Sequence, residues 1–407
     1  MQTTPKGMRL HIGIFGRRNV GKSSLLNMLT NQEVSIVSDV PGTTTDPVEK
    51  AMEFSPLGPV VFIDTAGIDE VDDLGERRAE RTMKALDRCD VAVLVTDDWQ
   101  EYEDRLVELF HRKKIAYVVA ANKSDLRRDD TLAEELKQRG VRHKATTSAE
   151  NRSGLPELKR AIIRAVPDDF VATPSILGDL VQPGDLVMLV VPIDIEAPKG
   201  RLILPQVQTL RDILDNDAYA MVVKERELTE ALRRLNAPPA LVVTDSQEFL
   251  KVAGDTPPGV PLTSFSILFA RLKGDLHELV KGVMTLEQLG PGDKVLVAES
   301  CTHHPSGDDI GRVKIPRWIE QYVGGKLDID VFAGHDFPGN IEDYKLVIHC
   351  GACVNNRKEM LSRIEHAKLH GVPITNYGLT IAYSLGIFER ALRPFPYAFE
   401  LYNSLKN

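Results

Sequence analysis

The sequence predicts an α/β protein of three domains: an N-terminal doubly wound sheet, then two smaller α/β domains with mainly parallel sheets. Short apolar runs of strand length alternate along the chain with longer amphipathic segments of helical period. A glycine-rich loop separates the first apolar run from the first helical segment. A stretch rich in proline, glycine and serine, "VATPSILGDLVQPGD" at 171–185, comes before a second series of β-α units. The expected division is therefore 1–170, 171–262 and 263–407.

The 407 residues suit about two to three such domains. With 50 basic against 59 acidic residues, the net charge of −9 speaks against a protein that coats nucleic acid. The N-terminal "MQTTPKGMRLHIGIFG" lacks the pattern of an export signal, and no apolar run reaches the roughly 18 residues of a membrane helix. These features predict a cytoplasmic protein with no membrane partner. In that reducing setting, clustered cysteines point to metal binding or catalysis rather than to a structural disulfide.

The first apolar run, "LHIGIF", reads as a buried strand, and "GRRNVGKSSLLNML" follows at once. Gly16 to Ser23 spell G-x-x-x-x-G-K-S in the strand–loop–helix setting of a phosphate loop. Gly16 and Gly21 let backbone N–H groups close around phosphate oxygens, with Arg17, Arg18, Asn19 and Val20 between them. The following helix offers its positive end. Lys22 reaches the terminal phosphates, the Ser23 hydroxyl is a magnesium ligand, and Ser24 stands beside it.

Three further segments agree. "KAMEFSPLGPVVFIDTAG" reads as a hairpin ending in Asp64, suited to magnesium through water, and Gly67, whose amide can sense a γ-phosphate. The buried strands "DVAVLVTDD" and "AYVVAANK" follow, and the second leads into Asn122, Lys123 and Asp125. A carboxylate at Asp125 accepts from the N1 and N2 donors of guanine, a pair that adenine lacks. "TTSAEN" at 146–151 supplies Ser148 and Ala149, the latter offering its amide to guanine O6. The amphipathic "GLPELKRAIIRAVP" closes the domain.

In order and spacing these segments resemble those of translation-factor-type GTPases, and within that class the TrmE/Era-like branch. The closer resemblance rests on "GRRNVGKSSLLN" and on "VPGTTTD" at 40–46. It implies GTP/GDP with Mg2+, and a switch role for Thr44 as a magnesium ligand. Lys22, Thr44, Asp64 and Gly67 are then the catalytic set. It also places Asn19 where potassium-activated members hold a K+ ion; the alternative is that Asn19 only caps its own loop. Ile68 stands where Ras-like enzymes carry a water-orienting glutamine, so hydrolysis is expected to be slow, with Asp69 and Glu70 the nearby polar candidates.

The middle segment offers β-α units but no evident chemistry: "DLVMLVVPID", "LPQVQTLRDILDND", "AYAMVVK", "ELTEALRRLN", "ALVVTD" and "SQEFLKVAG". Asp194 and Glu196 read as a solvated strand end. So thin a layer favours self-association, and a homodimer is expected.

In the third segment, "PLTSFSILFARLKGDLHELVKGV" reads as a helical lead-in to the strands "DKVLVAES", "LDIDVFAG", "YKLVIH" and "VPITNYG". Ligands collect beyond the carboxyl ends of parallel strands. Cys301 follows one strand and Cys350 another, and His335 follows a third, so C-x-H (Cys301, His303) and H-C-x-x-C (His349, Cys350, Cys353) share one sheet edge. Residue chemistry alone leaves a Cys3His zinc site and an iron–sulfur cluster both open. Cys89, the fourth cysteine, reads as a packing residue.

A TrmE-like GTPase segment followed by C-x-H…H-C-x-x-C resembles the HydF family of FeFe-hydrogenase maturation GTPases along the whole chain. That resemblance implies a 4Fe-4S cluster on Cys301, Cys350 and Cys353, with His303 and His349 as candidates for the fourth ligand. It also implies a scaffold that receives a diiron precursor made with radical-SAM enzymes and delivers it to apo-FeFe-hydrogenase. The alternatives are a ribosome- or RNA-associated GTPase with a structural zinc site, and a GTP-dependent redox switch on the C-x-x-C. The acidic charge and the absence of a GXXG clamp speak against RNA.

Overall fold

The computed structural model describes residues 5–30, 48–65, 83–126, 131–167, 175–193, 202–300, 309–334, 337–338 and 340–406. The chain forms two units, residues 1–173 and 174–407.

The first unit is built on one six-stranded sheet in the order β2-β3-β1-β4-β5-β6. Its strands are β1 (Leu10–Phe15), β2 (Val48–Phe54), β3 (Gly58–Asp64), β4 (Val91–Thr96), β5 (Ala116–Ala121) and β6 (Lys144–Thr146). β2 and β3 form the expected antiparallel hairpin, and the other pairings are parallel. Alternate residues of the central strands serve two cores. Ile12, Ile14, Val91, Val93 and Val95 pack with Leu25, Leu29, Leu158 and Ile162 from the helices Lys22–Thr30 and Leu155–Ala165. Ala92, Leu94 and Val119 pack on the other face with Leu106 and Phe110 of helix Glu101–Arg112 and Leu136 of helix Thr131–Gln138. Burial on both faces explains why these strands read as continuous apolar runs rather than alternating ones. Cys89 is fully buried in the second core.

The second unit holds two four-stranded sheets whose pairings are all parallel. The first, in the order β10-β9-β7-β8, comprises β7 (Leu186–Val190), β8 (Tyr219–Val223), β9 (Leu241–Thr244) and β10 (Leu262–Ser264). The expected division at 262 falls on the first residue of β10. The segment read as a helical lead-in thus begins as a strand, because Leu262–Ser264 complete the ladder on β9 before the helix starts at Phe265. Ser264 ends that strand and caps the next helix, Phe265–Lys273, its side chain accepting the amide of Ile267 at 3.2 Å. β8 lies at the sheet edge with Tyr219 65% and Val222 43% exposed.

The second sheet, in the order β12-β11-β13-β14, comprises β11 (Lys294–Glu299), β12 (Asp328–Ala333), β13 (Leu346–His349) and β14 (Ile374–Asn376). Helices Ile315–Val323 and Arg357–Leu369 make the crossovers that parallel pairing requires. Helix Leu276–Val283 starts on an Asp275 cap that accepts two amides, at 3.0 and 3.3 Å. Asn376 then ends β14 and caps helix Tyr377–Ser384, and helices Phe388–Leu392 and Pro396–Lys406 complete the unit. No helix among the described residues is long and apolar enough to cross a membrane.

Candidate functional site

In the first unit the site forms where the parallel strands end. Gly16, directly after β1, has φ 146°, and an added Cβ there would lie 2.2 Å from the Val95 carbonyl oxygen. Gly21 has φ 94°, and an added Cβ would lie 2.3 Å from Asn122 Nδ2. Both glycines are therefore required by left-handed geometry and by close approach. Asn19 also has positive φ, 63°, which asparagine tolerates better than most residues. Its side chain is exposed. Arg18 is exposed and Val20 buried.

Lys22 opens the helix and is buried, with Nζ donating to the carbonyls of Gly16 at 2.6 Å and Arg17 at 2.8 Å. The ammonium is thereby aimed along the inside of the loop. Ser23 and Ser24 stand exposed in the first helical turn. Asp64 pairs in register with Ile14, beside the start of the phosphate loop, and the Thr65 hydroxyl donates to the Ile14 carbonyl.

Asn122 is a structural hub beneath the base side. It is buried, donates from Nδ2 to the Val20 carbonyl at 2.9 Å, and accepts at Oδ1 from Thr147 Oγ1 and the Ala149 amide, both at 3.2 Å. It thus ties the phosphate loop to the 147–149 segment. The Ala149 amide, expected to meet guanine O6, donates to Asn122 here. Asp125 is exposed, with the buried Ser148 hydroxyl donating to its Oδ1.

Sequence reasoning missed a second tie. Lys123, with φ 57°, donates to Asp97 Oδ2 at 2.7 Å, and Arg17 Nη2 lies 3.4 Å from Asp97 Oδ1. Arg17 Nε donates at 2.8 Å to Glu103, which is fully buried and also accepts from Thr96 Oγ1 at 3.2 Å and the Gln100 amide at 3.0 Å. Burial pushes the Asp97 carboxyl up, but Lys123 and Arg17 outweigh it and hold it below the ordinary value. The available signal was "TDD" at the tip of β4, on the edge that carries the phosphate loop. Asp97→Asn is expected to raise the KM for GTP about three- to tenfold, a small effect because the cluster is partly solvated. Steady-state hydrolysis with kcat and KM separated checks this.

The cysteine motif lies on the matching edge of the last sheet. β11 and β13 are neighbours, with Ala298 opposite His349, and the Cys350 amide donates to the Ala298 carbonyl at 2.8 Å. The Ser300 amide donates to Cys350 Sγ at 3.1 Å, and the Ser300 hydroxyl oxygen lies 3.2 Å from the same sulfur. Burial pushes the Cys350 thiol up, but the His349 ring and hydrogen bonds from His349, Ser300 and the Ala352 backbone outweigh it and bring it down to about 6. At Cys353 burial and the neighbouring Cys350 raise the thiol, and they outweigh Lys273 and the backbone hydrogen bonds of Cys353 and Val354, which lower it.

His349 is fully buried. Arg363 Nη1 donates to its Nε2 at 2.8 Å, which leaves the ring proton on Nδ1, 2.8 Å from the Cys350 carbonyl that accepts it. Arg363 also donates to the Gly334 carbonyl at 2.8 Å and to Glu359 at 3.2 Å. Both ring nitrogens of His349 are thus engaged within the protein.

Lys273 was not singled out by sequence reasoning. It is 2% exposed and donates to the carbonyls of Ala352, Cys353 and Asn355 at 2.9, 3.0 and 2.7 Å. Burial lowers its ammonium to about 8, opposed by Cys353, Cys350 and Glu359. Its position in an apolar helix, far from the cysteines in sequence, gave no signal.

Thr44, Gly67, Ile68, Asp69, Glu70, Asp194, Glu196, Cys301, His303 and His335 lie outside the described residues. Among the described residues, no three His, Cys, Asp or Glu side chains are gathered as a metal site.

Three family models match the chain: 50S ribosome-binding GTPase over 11–123, Hydrogen maturase F dimerization domain over 176–274, and Hydrogen maturase F tetramerization domain over 277–394. GTPase Der of Wolinella succinogenes is 36% identical over 172 residues, covering 38% of this chain and 35% of that protein. The tRNA modification GTPase MnmE of Lactobacillus helveticus is 44% identical over 148 residues, covering 34% of this chain and 32% of that protein. The chain thus spans about a third of the length of these curated relatives. The G domain of the T. maritima FeoB iron transporter aligns at 23% identity and a TM-score of 0.32, over 39% of this chain and 99% of that one. These two relatives cover little more than a third of the chain, whereas residues 176–274 and 277–394 match models described as hydrogen maturase F domains. With a GTPase domain ahead of both, the chain belongs to the HydF-type GTPases of hydrogenase maturation.

Proposed function

We propose that the chain is a slow GTPase that carries a 4Fe-4S cluster and a diiron precursor, and passes the diiron unit to apo-FeFe-hydrogenase in the cytoplasm. The labour divides among residues 1–170 for GTP, 171–262 for self-association and 263–407 for the cluster. The observation that carries the cluster reading is the bond from the Ser300 amide to Cys350 Sγ, because the next residue in the sequence is Cys301. The parallel pairing of β11 with β13 supports the reading, since Cys350 follows β13 and Cys301 comes two residues after β11 in the sequence.

The donor set fits the group. Cys350 has its thiol lowered to about 6, and Cys353 follows it across a two-residue loop. The amide of Asn355 is buried, and neither its nitrogen nor its oxygen has a partner among the described residues. When bound, the cluster offers iron at which an incoming metal complex can attach and later leave. Cys301, Cys350 and Cys353 would hold three irons. His349, with both nitrogens engaged, would position Cys350, leaving His303 as the histidine candidate for the fourth.

At the nucleotide, Lys22 neutralises the terminal phosphates, and Ser23, Thr44 and Asp64 arrange the Mg2+ ion. Gly67 senses the γ-phosphate. Asn19, exposed at positive φ in the phosphate loop, is a ligand for K+. Binding of GTP then biases docking of the radical-SAM enzymes and the hydrogenase through segments 38–46 and 64–75. The two domain models named for dimerization and tetramerization, with the exposed edge of β8, support a homo-oligomer.

Anaerobic reconstitution with iron and sulfide tests the cluster reading. Wild-type protein is expected to gain broad absorption near 400 nm, which Cys350→Ser weakens while GTP hydrolysis is unchanged. Colourless protein holding one zinc per chain after the same treatment defeats it.

A further inference from the structure

Lys273 is the most costly residue in the second unit to explain by packing alone. It closes helix Phe265–Lys273, in which Phe265, Ile267, Leu268, Phe269, Ala270 and Leu272 are also buried. A leucine or methionine there would bury as much carbon with no charge to desolvate, and replacing buried ions by apolar residues is often neutral or stabilising. The ammonium instead ends on three carbonyls within four residues, those of Ala352, Cys353 and Asn355. Ala352 has φ 51°, an unusual conformation for alanine. The three N–H donors of an ammonium match these acceptors one for one. Carbonyls are neutral, however, so the positive charge itself has no full counter-charge in this contact. Glu359 is already bonded to Arg363. The loop that Lys273 grips carries Cys353, whose carbonyl it bonds at 3.0 Å, and Cys350 and Cys353 are the other side chains whose negative charge would act on the ammonium.

We propose that Lys273 is a positioning residue for the thiolate metal site: it straps the Cys350–Asn355 loop through three carbonyls and supplies the positive charge that offsets the bound thiolates. This rests on the cluster reading above. Three thiolates around a 4Fe-4S core leave a net negative charge, which rises by one on reduction. A fixed cation in the loop therefore favours the reduced state, and the strap holds Cys353 where its sulfur can stay bound.

Lys273→Met keeps the length of the side chain and removes the charge and all three donors; Lys273→Arg keeps the charge and crowds the socket. Each is compared with wild type by amide hydrogen exchange of metal-free protein, by iron release to a chelator after reconstitution, and by the reduction potential of the cluster. With methionine, exchange at residues 351–355 quickens, iron release speeds about tenfold, and the potential moves to a more negative value, with GTP hydrolysis unaltered. The arginine variant keeps the wild-type potential while its loop exchanges faster. Unchanged exchange and unchanged potential in the methionine variant overturn the proposal. Should that variant fail to fold, a potential displaced in the arginine variant overturns the role of charge. If wild-type protein takes up no iron, the cluster reading falls by itself, and exchange of the metal-free methionine variant still decides the strap.

Discussion

Asp125→Asn is expected to turn the nucleotide preference from GTP to XTP. Guanine presents two adjacent donors, N1–H and the exocyclic N2, and a carboxylate accepts both. An asparagine amide offers one acceptor and one donor, which matches xanthine, where the exocyclic donor is replaced by a carbonyl oxygen. With guanine the variant sets donor against donor, and a buried donor left unpaired costs about 1–3 kcal/mol beyond the lost bond. A site built to pair a polar group discriminates by about 10^4–10^5, so the ratio of kcat/KM for GTP over XTP is expected to move by about that order. The local frame survives the change. The Ser148 hydroxyl that donates to the Asp125 carboxylate can donate equally to an amide oxygen. Asn122, bonded to Val20, Thr147 and Ala149, holds the loop independently of residue 125. Lost GTP hydrolysis without a gain for XTP, or an unchanged preference, would show that Asp125 does not read the base.

The phosphate-binding side was legible because its chemistry is local. Gly16, Gly21 and Lys22 follow one strand and open one helix, so spacing in the sequence is spacing in the structure. The place of the second cysteine half was also legible, since Cys350 directly follows β13, the neighbour of β11. The supports were not. Asp97 joins Arg17 to Lys123, and Lys273 reaches across the unit to residues 352–355; neither contact has a period or motif that announces it. β10 was hidden for another reason: three residues are too few to show alternation, and the apolar helix after them dominated the pattern. His349 was read as a candidate ligand because histidine beside cysteine suggests metal. Only the distances to Arg363 and to the Cys350 carbonyl reveal how its nitrogens are used.

Those distances lead to the second large effect, Arg363→Met, which is expected to destabilise the second unit by about 3–5 kcal/mol. Arg363, Glu359 and His349 are 5, 4 and 0% exposed. Removing the guanidinium takes one ion-pair partner from the buried Glu359 carboxylate and donors from His349 Nε2 and the Gly334 carbonyl. Methionine refills the aliphatic volume but satisfies none of these acceptors. At about 2–4 °C per kcal/mol for a unit of this size, the melting temperature should fall by about 6–20 °C. A buried carboxylate that loses its guanidinium partner is costly, so Arg363→Met combined with Glu359→Gln should recover part of the penalty. Near-equal melting of single variant and wild type would mean that water reaches Glu359 and the network is not closed. A double variant less stable than the single would locate the energy in the pair itself. Arg363 thus braces the His349 ring behind Cys350 as well as pairing with Glu359, and the second unit should lose stability when both ties are removed.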